Sequence, residues 1–384
     1  MDKKQKVLIA NSDSSYTSGA FRCMLEMCEL LKMSNEYEPI VVLPKKGNGQ
    51  SLLEKAGIRY KVIRSYGWTV KICERRNPRV LLEILIKLML NTITVLRIAL
   101  FIRNAEVDLV HINTIGTYVA AAAAIIDKKP IIWHVREALD LDHNKSLISG
   151  KCYDLINRAN AIICVSEHVY SHYSDRLDMN KMKVVYDGVD KNVYYYDRSI
   201  SSSDRCVEFL CIGNMNSNKG QEDIIAAGKI LRSYDKPFHI SFVGSGRKKD
   251  SLVEMARELE GFITFHEIAD DVTEYYRNAD VFIMSSKAEA FGRTTVEAMM
   301  SGCLVIGAKA GATPEIIENG ITGLLYEYGD SRELADLMMG VIDNRLRYKE
   351  IINAGQDKAI KLFSTNKSME KIQKVYETVL INKR

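Results

Sequence analysis

The sequence predicts an α/β fold built from two doubly wound domains. Short apolar runs, of the length of buried strands, alternate with helical patterns along most of the chain. Loops rich in glycine and serine follow several of these runs, and 384 residues with 47% apolar side chains suffice for two cores of ordinary size. We therefore expect a first domain over residues 1–196 and a second over residues 197–365.

The first predicted domain contains strand-like apolar runs, each followed by a polar or glycine-bearing segment. They are residues 7–10, 40–43, 57–63, 108–112, 130–134 and 159–166. Gly19 lies in a polar loop before a helix that begins near residue 20, and His134 ends its run. Because the carboxyl ends of parallel strands lie at one edge of a sheet, we expect both residues at that edge. On general grounds alone, an isolated histidine such as His134 is more often structural than functional.

Residues 80–102 form a very apolar predicted helix with one narrow polar stripe. Its polar residues recur at spacings of three and four, and arginines lie at both ends, within residues 75–103. The stripe consists of Glu83, Lys87, Asn91, Thr94 and Arg97. At about 35 Å the helix could span a bilayer, but each charge near its centre costs about 2.5–3.5 kcal/mol. We expect it either to pack between elements of the protein or to lie on a membrane surface.

A polar segment at residues 197–205, which contains four serines, predicts the linker between the domains. Beyond it follow the apolar runs of a second sheet. They are residues 209–213, 239–246, 262–265, 281–284, 303–306 and 323–326. From residue 331 the pattern is helical, and we expect a last helix over residues 368–381.

Residues 280–314 are predicted to form a strand, a loop, a helix and a strand in succession. The loop, residues 285–293, follows the carboxyl end of its strand, where open parallel sheets bind ligands. Gly292 permits close approach of backbone to a ligand, and the N–H groups that begin the helix suit a phosphate oxygen. Glu297, one turn into the helix, could accept two ribose hydroxyls at about 1.5–3 kcal/mol each.

The acidic residues of this segment also have other interpretations. Thr294 and Glu297 form a capping box that needs no ligand, so the sequence leaves Glu297 open between a cap and a ribose ligand. Glu289 lies outside the predicted helix. A carboxylate next to a phosphate site requires a sugar hydroxyl or a cation beside it.

The spacing of these residues resembles a known family signature. Glu289 and Glu297 enclose seven residues that include Phe291-Gly292, and Glu297-Ala-Met-x-x-Gly302 follows. The pattern is similar to that of the retaining family-4 glycosyltransferases of GT-B fold, of the bacterial polysaccharide-biosynthesis type. This resemblance implies two Rossmann-like domains facing across a cleft, with a helix in residues 366–384 crossing back to pack on the first domain.

The resemblance also implies roles for individual residues. Lys219, Glu289 and His134 would be catalytic: Lys219 binds the donor diphosphate, Glu289 contacts the donor sugar, and His134 lines the acceptor side. Glu297 would hold the ribose, and the loop at residues 267–271 would seat the base. The other implied binding residues are Gly19, Asn214, Phe291, Gly292, Arg293 and Thr294.

One position departs from the family's pattern in a way that affects charge. Asn214 stands in place of the usual arginine, which leaves Lys219 as the one matched cation. Arg293 could replace the missing charge, because its guanidinium can bind a diphosphate in a bidentate manner. The alternative is an exposed arginine in a solvated loop, or one paired with Glu289 or Glu315.

The implied activity is transfer of a sugar, with retention of anomeric configuration, from a nucleoside-diphosphate donor to a hydroxyl acceptor. The acceptor would be a lipid-linked or growing polysaccharide glycan at the cytoplasmic membrane face, and the reaction would need no cofactor and no metal. Asp140-Leu-Asp142 lacks the strand context that aims two carboxylates at one cation, so we expect a solvated turn there. Two alternatives stay open, namely a GT-B sugar-nucleotide epimerase and a non-catalytic sugar-nucleotide-binding partner in a polysaccharide assembly complex.

Composition argues against several other classes of protein. The net charge of +4 provides no general attraction for nucleic acid. The eight cysteines are scattered without metal-ligand spacing and predict reduced, mostly buried thiols. The chain starts with a strand-like run and not with a signal-peptide core. We therefore expect a cytoplasmic protein, peripheral on the inner membrane face if residues 80–102 contact it.

Overall fold

The computed structural model describes residues 3–198, 206–234, 236–267 and 271–381. The chain divides into two compact units: Met1–Tyr186 with Ser368–Arg384 is unit 1, and Asp187–Lys367 is unit 2. Most of the predicted linker, residues 199–205, lies outside the described residues. Residues 268–270, in the loop expected to seat a base, lie outside them as well.

The boundary between the units precedes the predicted linker. The backbone carbonyl of Tyr194 accepts a hydrogen bond from Ser301 Oγ at 2.8 Å, and that of Tyr196 accepts one from Gln356 Nε2 at 2.9 Å. Both donors belong to unit 2. The segment before the predicted linker therefore joins unit 2 through its hydrogen bonds.

Unit 1 contains a parallel sheet and the helices that connect its strands. Its strands are β1 (Gln5–Ala10), β2 (Tyr37–Leu43), β3 (Arg59–Val62), β4 (Thr69–Lys71), β5 (Leu109–Ile112), β6 (Ile131–Val135), β7 (Lys145–Leu147), β8 (Ala161–Cys164) and β9 (Met182–Val184). Its helices are α1 (Gly19–Met33), α2 (Gln50–Lys55), α3 (Pro78–Asn104), α4 (Val119–Ile126), α5 (Leu139–His143), α6 (Cys152–Ile156) and α7 (Glu167–Tyr173).

The large sheet of unit 1 has the strand order β3-β2-β1-β5-β6-β8-β9, and its pairs are parallel. Strands β5, β6 and β8 are buried along their whole length, as expected for a parallel sheet covered by helices. Strands β4 and β7 form a separate antiparallel pair. Sequence analysis missed this pair because each strand has three residues and neither shows an apolar run.

Unit 2 contains a second parallel sheet. Its strands are β10 (Val207–Ile212), β11 (Phe238–Val243), β12 (Ile263–His266), β13 (Val281–Met284), β14 (Leu304–Ala308) and β15 (Leu324–Tyr326). Its helices are α8 (Lys191–Tyr194), α9 (Gln221–Arg232), α10 (Lys249–Met255), α11 (Thr273–Asn278), α12 (Arg293–Met300), α13 (Thr313–Ile316), α14 (Ser331–Asp343) and α15 (Lys349–Phe363). Helix α16 (Thr365–Ile381) follows and lies mostly in unit 1.

The sheet of unit 2 has the strand order β12-β11-β10-β13-β14-β15. Every apolar run predicted as a strand, in either unit, contains a strand. The predicted α/β fold with two doubly wound parallel sheets is therefore confirmed.

The prediction of a solvated turn at Asp140-Leu-Asp142 was wrong. These residues lie in α5, where Asp142 Oδ2 accepts a hydrogen bond from the Ala138 backbone N–H at 2.7 Å. Asp140 Oδ1 lies 2.8 Å from His172 Nε2. Both carboxylates are held by neighbours within unit 1, and they point to different partners.

Helix α3 has its polarity reversed relative to an ordinary surface helix. Asn91 and Thr94, from the predicted polar stripe, are buried and bond to the segment before β4: Asn91 Nδ2 donates to the Tyr66 carbonyl at 2.8 Å, and Thr94 Oγ1 donates to the Arg64 carbonyl at 2.8 Å. Several apolar side chains are instead exposed. They are Leu81, Leu82, Leu85, Ile86, Met89, Leu90, Ile93, Leu96 and Leu100. The middle of the polar stripe, at Asn91 and Thr94, thus faces the protein, while Glu83 and Arg97 are exposed together with the wide apolar face.

Helix α16 contributes to the core of unit 1, as predicted for the last helix. Its buried face packs in the same cluster as β1 and α1 side chains. The buried residues of the helix are Met369, Ile372, Val375, Tyr376 and Val379. Helix α16 is therefore structurally part of the unit that contains β1.

Candidate functional site

The loops that follow β10, β11 and β13 meet at the carboxyl edge of the unit 2 sheet. Ser285 Oγ donates to the Lys219 carbonyl at 2.7 Å, and the Lys287 backbone N–H donates to the Asn218 carbonyl at 2.9 Å. Gly220 has a φ of +63°, and a Cβ there would lie 2.1 Å from the Ser285 carbonyl oxygen. Only glycine, which has no Cβ, allows the backbone at residue 220 to come this close to Ser285, so Gly220 permits the two loops to pack together.

Two of the predicted catalytic residues are in direct contact at this edge. Lys219 Nζ lies 2.6 Å from Glu289 Oε2, and the two side chains are 27% and 18% exposed. The pair is thus partly withdrawn from water but still reachable. An ammonium and a carboxylate held together can contact both a phosphate oxygen and a neighbouring hydroxyl.

Gly292 ends the loop after β13 and precedes α12. Its φ is +98°, in the left-handed region that favours glycine, and a Cβ there would come within 3.2 Å of Ile316 Cδ1. The helix then begins at Arg293, one residue earlier than predicted. The positive end of the α12 dipole therefore lies at the same loop as Glu289.

The capping-box interpretation of Glu297 was wrong. Gly292, not Thr294, is the residue before the helix, and among the described residues no side chain caps that end. The Glu297 side chain accepts hydrogen bonds from Tyr276 Oη at 2.9 Å and from Arg293 Nε at 3.0 Å. Since each carboxylate oxygen has two lone pairs, Glu297 can still accept further hydroxyls.

This network shifts the ionisation of its members. Burial, followed by the nearby charge of Glu297, raises the pKa of Tyr276 well above its usual value. The hydroxyl therefore stays protonated and acts as a donor to Glu297. Arg293 has a partner that neither sequence interpretation named, and it is one turn away on the same helix.

The remaining predicted residues of unit 2 differ in exposure. Phe291 is buried, with its ring edge-on to Phe363 at 5.8 Å, so its side chain anchors the loop in the core. Thr294 is half-buried within α12. Asn214 is exposed, and its backbone carbonyl accepts a hydrogen bond from Gln221 Nε2 at 3.1 Å.

Unit 1 presents a different group of residues at the carboxyl edge of its own sheet. Asn11 follows β1, Asn113 follows β5, and Arg136 follows β6. Arg136 Nε donates to Asn113 Oδ1 at 3.0 Å, and Asn113 Nδ2 donates to Asn11 Oδ1 at 2.9 Å. Sequence analysis missed these residues, although each is a polar side chain directly after a buried strand and His134 was identified by its place at the end of such a run.

His134 is buried beside this network. Its Nδ1 lies 3.3 Å from Nε2 of His111, a residue that sequence analysis also missed. Burial, then the charge of Arg136 and then His111 lower the pKa of His134 well below its usual value. Burial and Arg136 lower the pKa of His111 to about 3. Both rings are therefore neutral near pH 7.

Gly19 is the first residue of α1. Ser18 precedes it, accepts a hydrogen bond from the Phe21 backbone N–H and donates one from its Oγ to Asp13 Oδ2 at 2.8 Å. A Cβ at Gly19 would meet no described atom within 4 Å. The fold of unit 1 therefore leaves room for a side chain at this position.

Among the described residues, no group of three or more histidine, cysteine, aspartate or glutamate side chains is arranged to hold a metal ion. The eight cysteines are free thiols. Burial raises the pKa of Cys211 to about 12 and that of Cys303 to about 11, which makes both poor metal ligands and nucleophiles.

Two family models together match most of the chain. The model described as Glycosyltransferase Family 4 matches residues 17–193, and the model described as Glycosyl transferases group 1 matches residues 197–358. The first falls in unit 1 and a few residues beyond it, and the second falls within unit 2.

Similar curated proteins are mostly sugar transferases. N-acetyl-alpha-D-glucosaminyl L-malate synthase of Bacillus anthracis is 25% identical over 237 residues, which cover 59% of this chain and 61% of that protein. The capsular polysaccharide biosynthesis glycosyltransferase CapM of Staphylococcus aureus is 23% identical, over 44% of this chain and 45% of that protein. The chain thus matches less than two thirds of the length of either relative.

Solved structures resemble the whole chain. The Anabaena protein Alr3699/HepE in complex with UDP has a TM-score of 0.79 and 23% identity, with 97% of this chain and 100% of that chain covered. Its complex with UDP-glucose has a TM-score of 0.76 and 22% identity, with 97% and 99% covered. At this level of identity the similarity shows the fold.

The network around Glu297 generates a prediction about stability. Glu297→Ala leaves the buried Tyr276 hydroxyl and the partly buried Arg293 guanidinium without their shared acceptor. We expect the free energy of unfolding to fall by about 3 kcal/mol, at the lower end for breaking a buried pair. Urea unfolding monitored by circular dichroism measures this change.

Glu274→Ala is the matched control, because Glu274 pairs with Arg277 on the surface and both side chains are exposed. Its effect should stay within about 0.5 kcal/mol. Equal urea midpoints for Glu297→Ala and Glu274→Ala would contradict a structural role for the Glu297 network.

Proposed function

Because the chain belongs to the GT4-type glycosyltransferases of GT-B fold, we propose that it transfers a sugar from a nucleoside-diphosphate donor to a hydroxyl acceptor with retention of configuration. The contact between Lys219 and Glu289 carries the proposal, since it joins a cation and a carboxylate at the edge of a parallel sheet. The structural relative Alr3699/HepE binds UDP and UDP-glucose, and this supports a UDP-sugar as the donor.

The proposed reaction depends on stabilising the leaving diphosphate. Lys219 and the N-terminal end of α12 supply positive charge where negative charge develops. Glu289 orients the sugar, and Glu297 accepts the ribose hydroxyls. The leaving phosphate takes the proton of the attacking hydroxyl on the same face of the sugar, and His134 orients the acceptor. In this proposal the reaction needs no metal ion.

Lys219 and Glu289 provide the direct test. Lys219→Ala should lower turnover by about 10²–10³-fold, the effect of removing one donor that stabilises transition-state charge. Glu289→Gln should abolish transfer while nucleotide binding survives. The donor is first identified by thermal stabilisation with UDP-, GDP- and TDP-sugars, because a ligand at 100 times its Kd adds about 2.7 kcal/mol.

Lys309→Ala is the matched control, because Lys309 also pairs with a glutamate, Glu327, but on the surface of unit 2. Turnover by Lys219→Ala equal to that of Lys309→Ala would contradict the proposal. Formation of an epimer of the donor without any acceptor would instead identify an epimerase.

Arg293 is proposed to supply the charge that Asn214 does not. Its Nε bond to Glu297 fixes the guanidinium at the first turn of α12, beside Gly292. Arg293→Ala should therefore lower turnover by about 10²-fold and also lower the melting temperature. Adding Asn214→Arg should recover part of the turnover but not the melting temperature, because the bond from Arg293 to Glu297 is still missing. Parental turnover by Arg293→Ala would end the compensation hypothesis.

We further propose that α3 lies on an anionic membrane surface, on the cytoplasmic side, so that the acceptor is a lipid-linked or growing glycan. Its apolar face is exposed: Leu82, Met89 and Ile93 are 60%, 73% and 61% exposed. The helix is long and apolar enough to span a bilayer, yet its other face is bonded into unit 1 through Asn91 and Thr94. This attachment favours a helix that lies in the interface.

The charges beside α3 suit anionic lipid. Arg75, Arg76 and Arg79 are exposed at its beginning, and Arg103 is exposed at its end. Each basic residue near such a surface contributes about 1 kcal/mol of attraction. Insertion of the apolar side chains adds about 25 cal/mol for each Å² removed from water.

Vesicle flotation tests the membrane proposal. The protein should float with vesicles of equal parts phosphatidylglycerol and phosphatidylcholine, and less with phosphatidylcholine alone. The double variant Leu82→Glu and Met89→Glu should stay in the soluble fraction, while Met179→Glu, at an exposed apolar residue elsewhere in unit 1, should float. Parental protein that stays wholly soluble at low salt would overturn the proposal.

A further inference from the structure

A chain of hydrogen bonds in unit 1 connects the last helix to His134. Tyr376 Oη, on α16, lies 2.8 Å from His111 Nδ1. His111 Nε2 lies 3.3 Å from His134 Nδ1, and Arg136 Nη2 lies 3.3 Å from the same atom. All four side chains are buried. The proposed mechanism uses His134 but gives no role to the other three.

We propose that Tyr376, His111 and Arg136 are positioning residues that keep His134 in the tautomer with its proton on Nε2, as a hydrogen-bond donor to a substrate oxygen. The identity of that oxygen rests on the proposed function. The tautomer itself does not, because it follows from contacts within unit 1 alone.

The contact of Arg136 with His134 determines which atoms donate and which accept in this series of hydrogen bonds. A guanidinium has only N–H donors, so His134 Nδ1 must be the acceptor in their contact. A neutral imidazole carries one proton, which for His134 must then be on Nε2. The low pKa of His134, caused by burial and by Arg136, keeps the ring neutral.

The same reasoning determines the tautomer of His111. Since His134 Nδ1 is an acceptor, the contact at 3.3 Å requires a proton on His111 Nε2. His111 Nδ1 is then also an acceptor, and Tyr376 Oη must donate to it. Met27 Sδ, a second acceptor near this hydroxyl, is 4.0 Å away and weak. In both hydrogen bonds, from Tyr376 to His111 and from His111 to His134, the donor is therefore the residue nearer to Tyr376.

The end of the chain of hydrogen bonds is an unpaired donor. His134 Nε2 is buried and has no hydrogen-bond partner among the described residues. A buried donor without an acceptor costs about 1–3 kcal/mol, and such groups in native proteins require an explanation. His134 lies in β6 next to its carboxyl end, where parallel sheets bind ligands. A hydroxyl or phosphate oxygen of the substrate would satisfy this donor.

The position of Tyr376 gives α16 a role beyond packing. Tyr376 is separated from His111 by 265 residues, and its ring also packs edge-on against Tyr37 at 5.6 Å. Tyr376→Phe keeps that packing and removes only the donor. His111 can then take either tautomer, and its hold on His134 weakens, while Arg136 remains.

Nitrogen-15 NMR of the imidazole rings, without substrate, tests the proposal. In parental protein at pH 7, His111 and His134 should both be neutral with the proton on Nε2. Tyr376→Phe should give His111 a population protonated on Nδ1, and Tyr37→Phe, the matched control, should not. The signals are identified with His111→Gln and His134→Gln. A proton on His134 Nδ1, or no change at His111 in Tyr376→Phe, would overturn the proposal.

Kinetics give a second, independent measurement. Tyr376→Phe should lower kcat several-fold, up to about tenfold, with the KM for donor unchanged, as expected for weakening one hydrogen bond in the transition state. If this variant does not fold, Arg136→Met removes the guanidinium donor to His134 Nδ1 and should give His134 a population protonated on Nδ1. Transfer activity in a protein whose tautomers differ from those stated would reject this inference alone. The stated tautomers without any transfer would reject the proposed function alone.

Discussion

The ion pair between Lys219 and Glu289 joins side chains from the loops after β10 and β13, and the proposed site in unit 2 depends on it. Ala312 N–H donates to the Glu289 carbonyl at 2.8 Å, and a Cβ at Gly311 would lie 2.5 Å from the Glu289 backbone nitrogen. The loop after β14 therefore packs tightly against the residue that holds Lys219. A partly buried ion pair adds little net stability, because desolvation offsets most of the attraction. Its main effect is positional, since it fixes a cation and a carboxylate relative to the start of α12.

The two units use the same edge of a parallel sheet in chemically different ways. Unit 2 arranges charged groups there, and its glycine at residue 220 allows the backbones to touch. Unit 1 arranges neutral groups, namely two asparagines and two histidines, around the single guanidinium of Arg136. Burial favours neutral imidazole, and the neighbouring guanidinium favours it further. One fold thus provides a charged surface in one unit and a network of fixed hydrogen-bond donors in the other.

Sequence analysis predicted the strands well because their signal is local, and β13 has the predicted bounds. It missed the pairing of Arg293 with Glu297 because it placed Arg293 in the loop before the helix. Once the helix begins at Arg293, a spacing of four to Glu297 is an ordinary helical ion pair. The contact between Tyr376 and His111 could not be predicted, since 265 residues separate them. The orientation of α3 also could not be predicted, because a helical pattern does not reveal which face of the helix packs against the protein.

Two features of unit 1 lower its stability without any benefit to folding. The N–H at His134 Nε2, which has no partner in the described part of the chain, costs about 1–3 kcal/mol. The exposed apolar face of α3 forgoes about 25 cal/mol for each Å² that an ordinary helix would bury. Domains are stable by only about 5–15 kcal/mol, so each cost is a large fraction of the total. The proposed ligands, an oxygen at His134 and lipid at α3, would offset both costs.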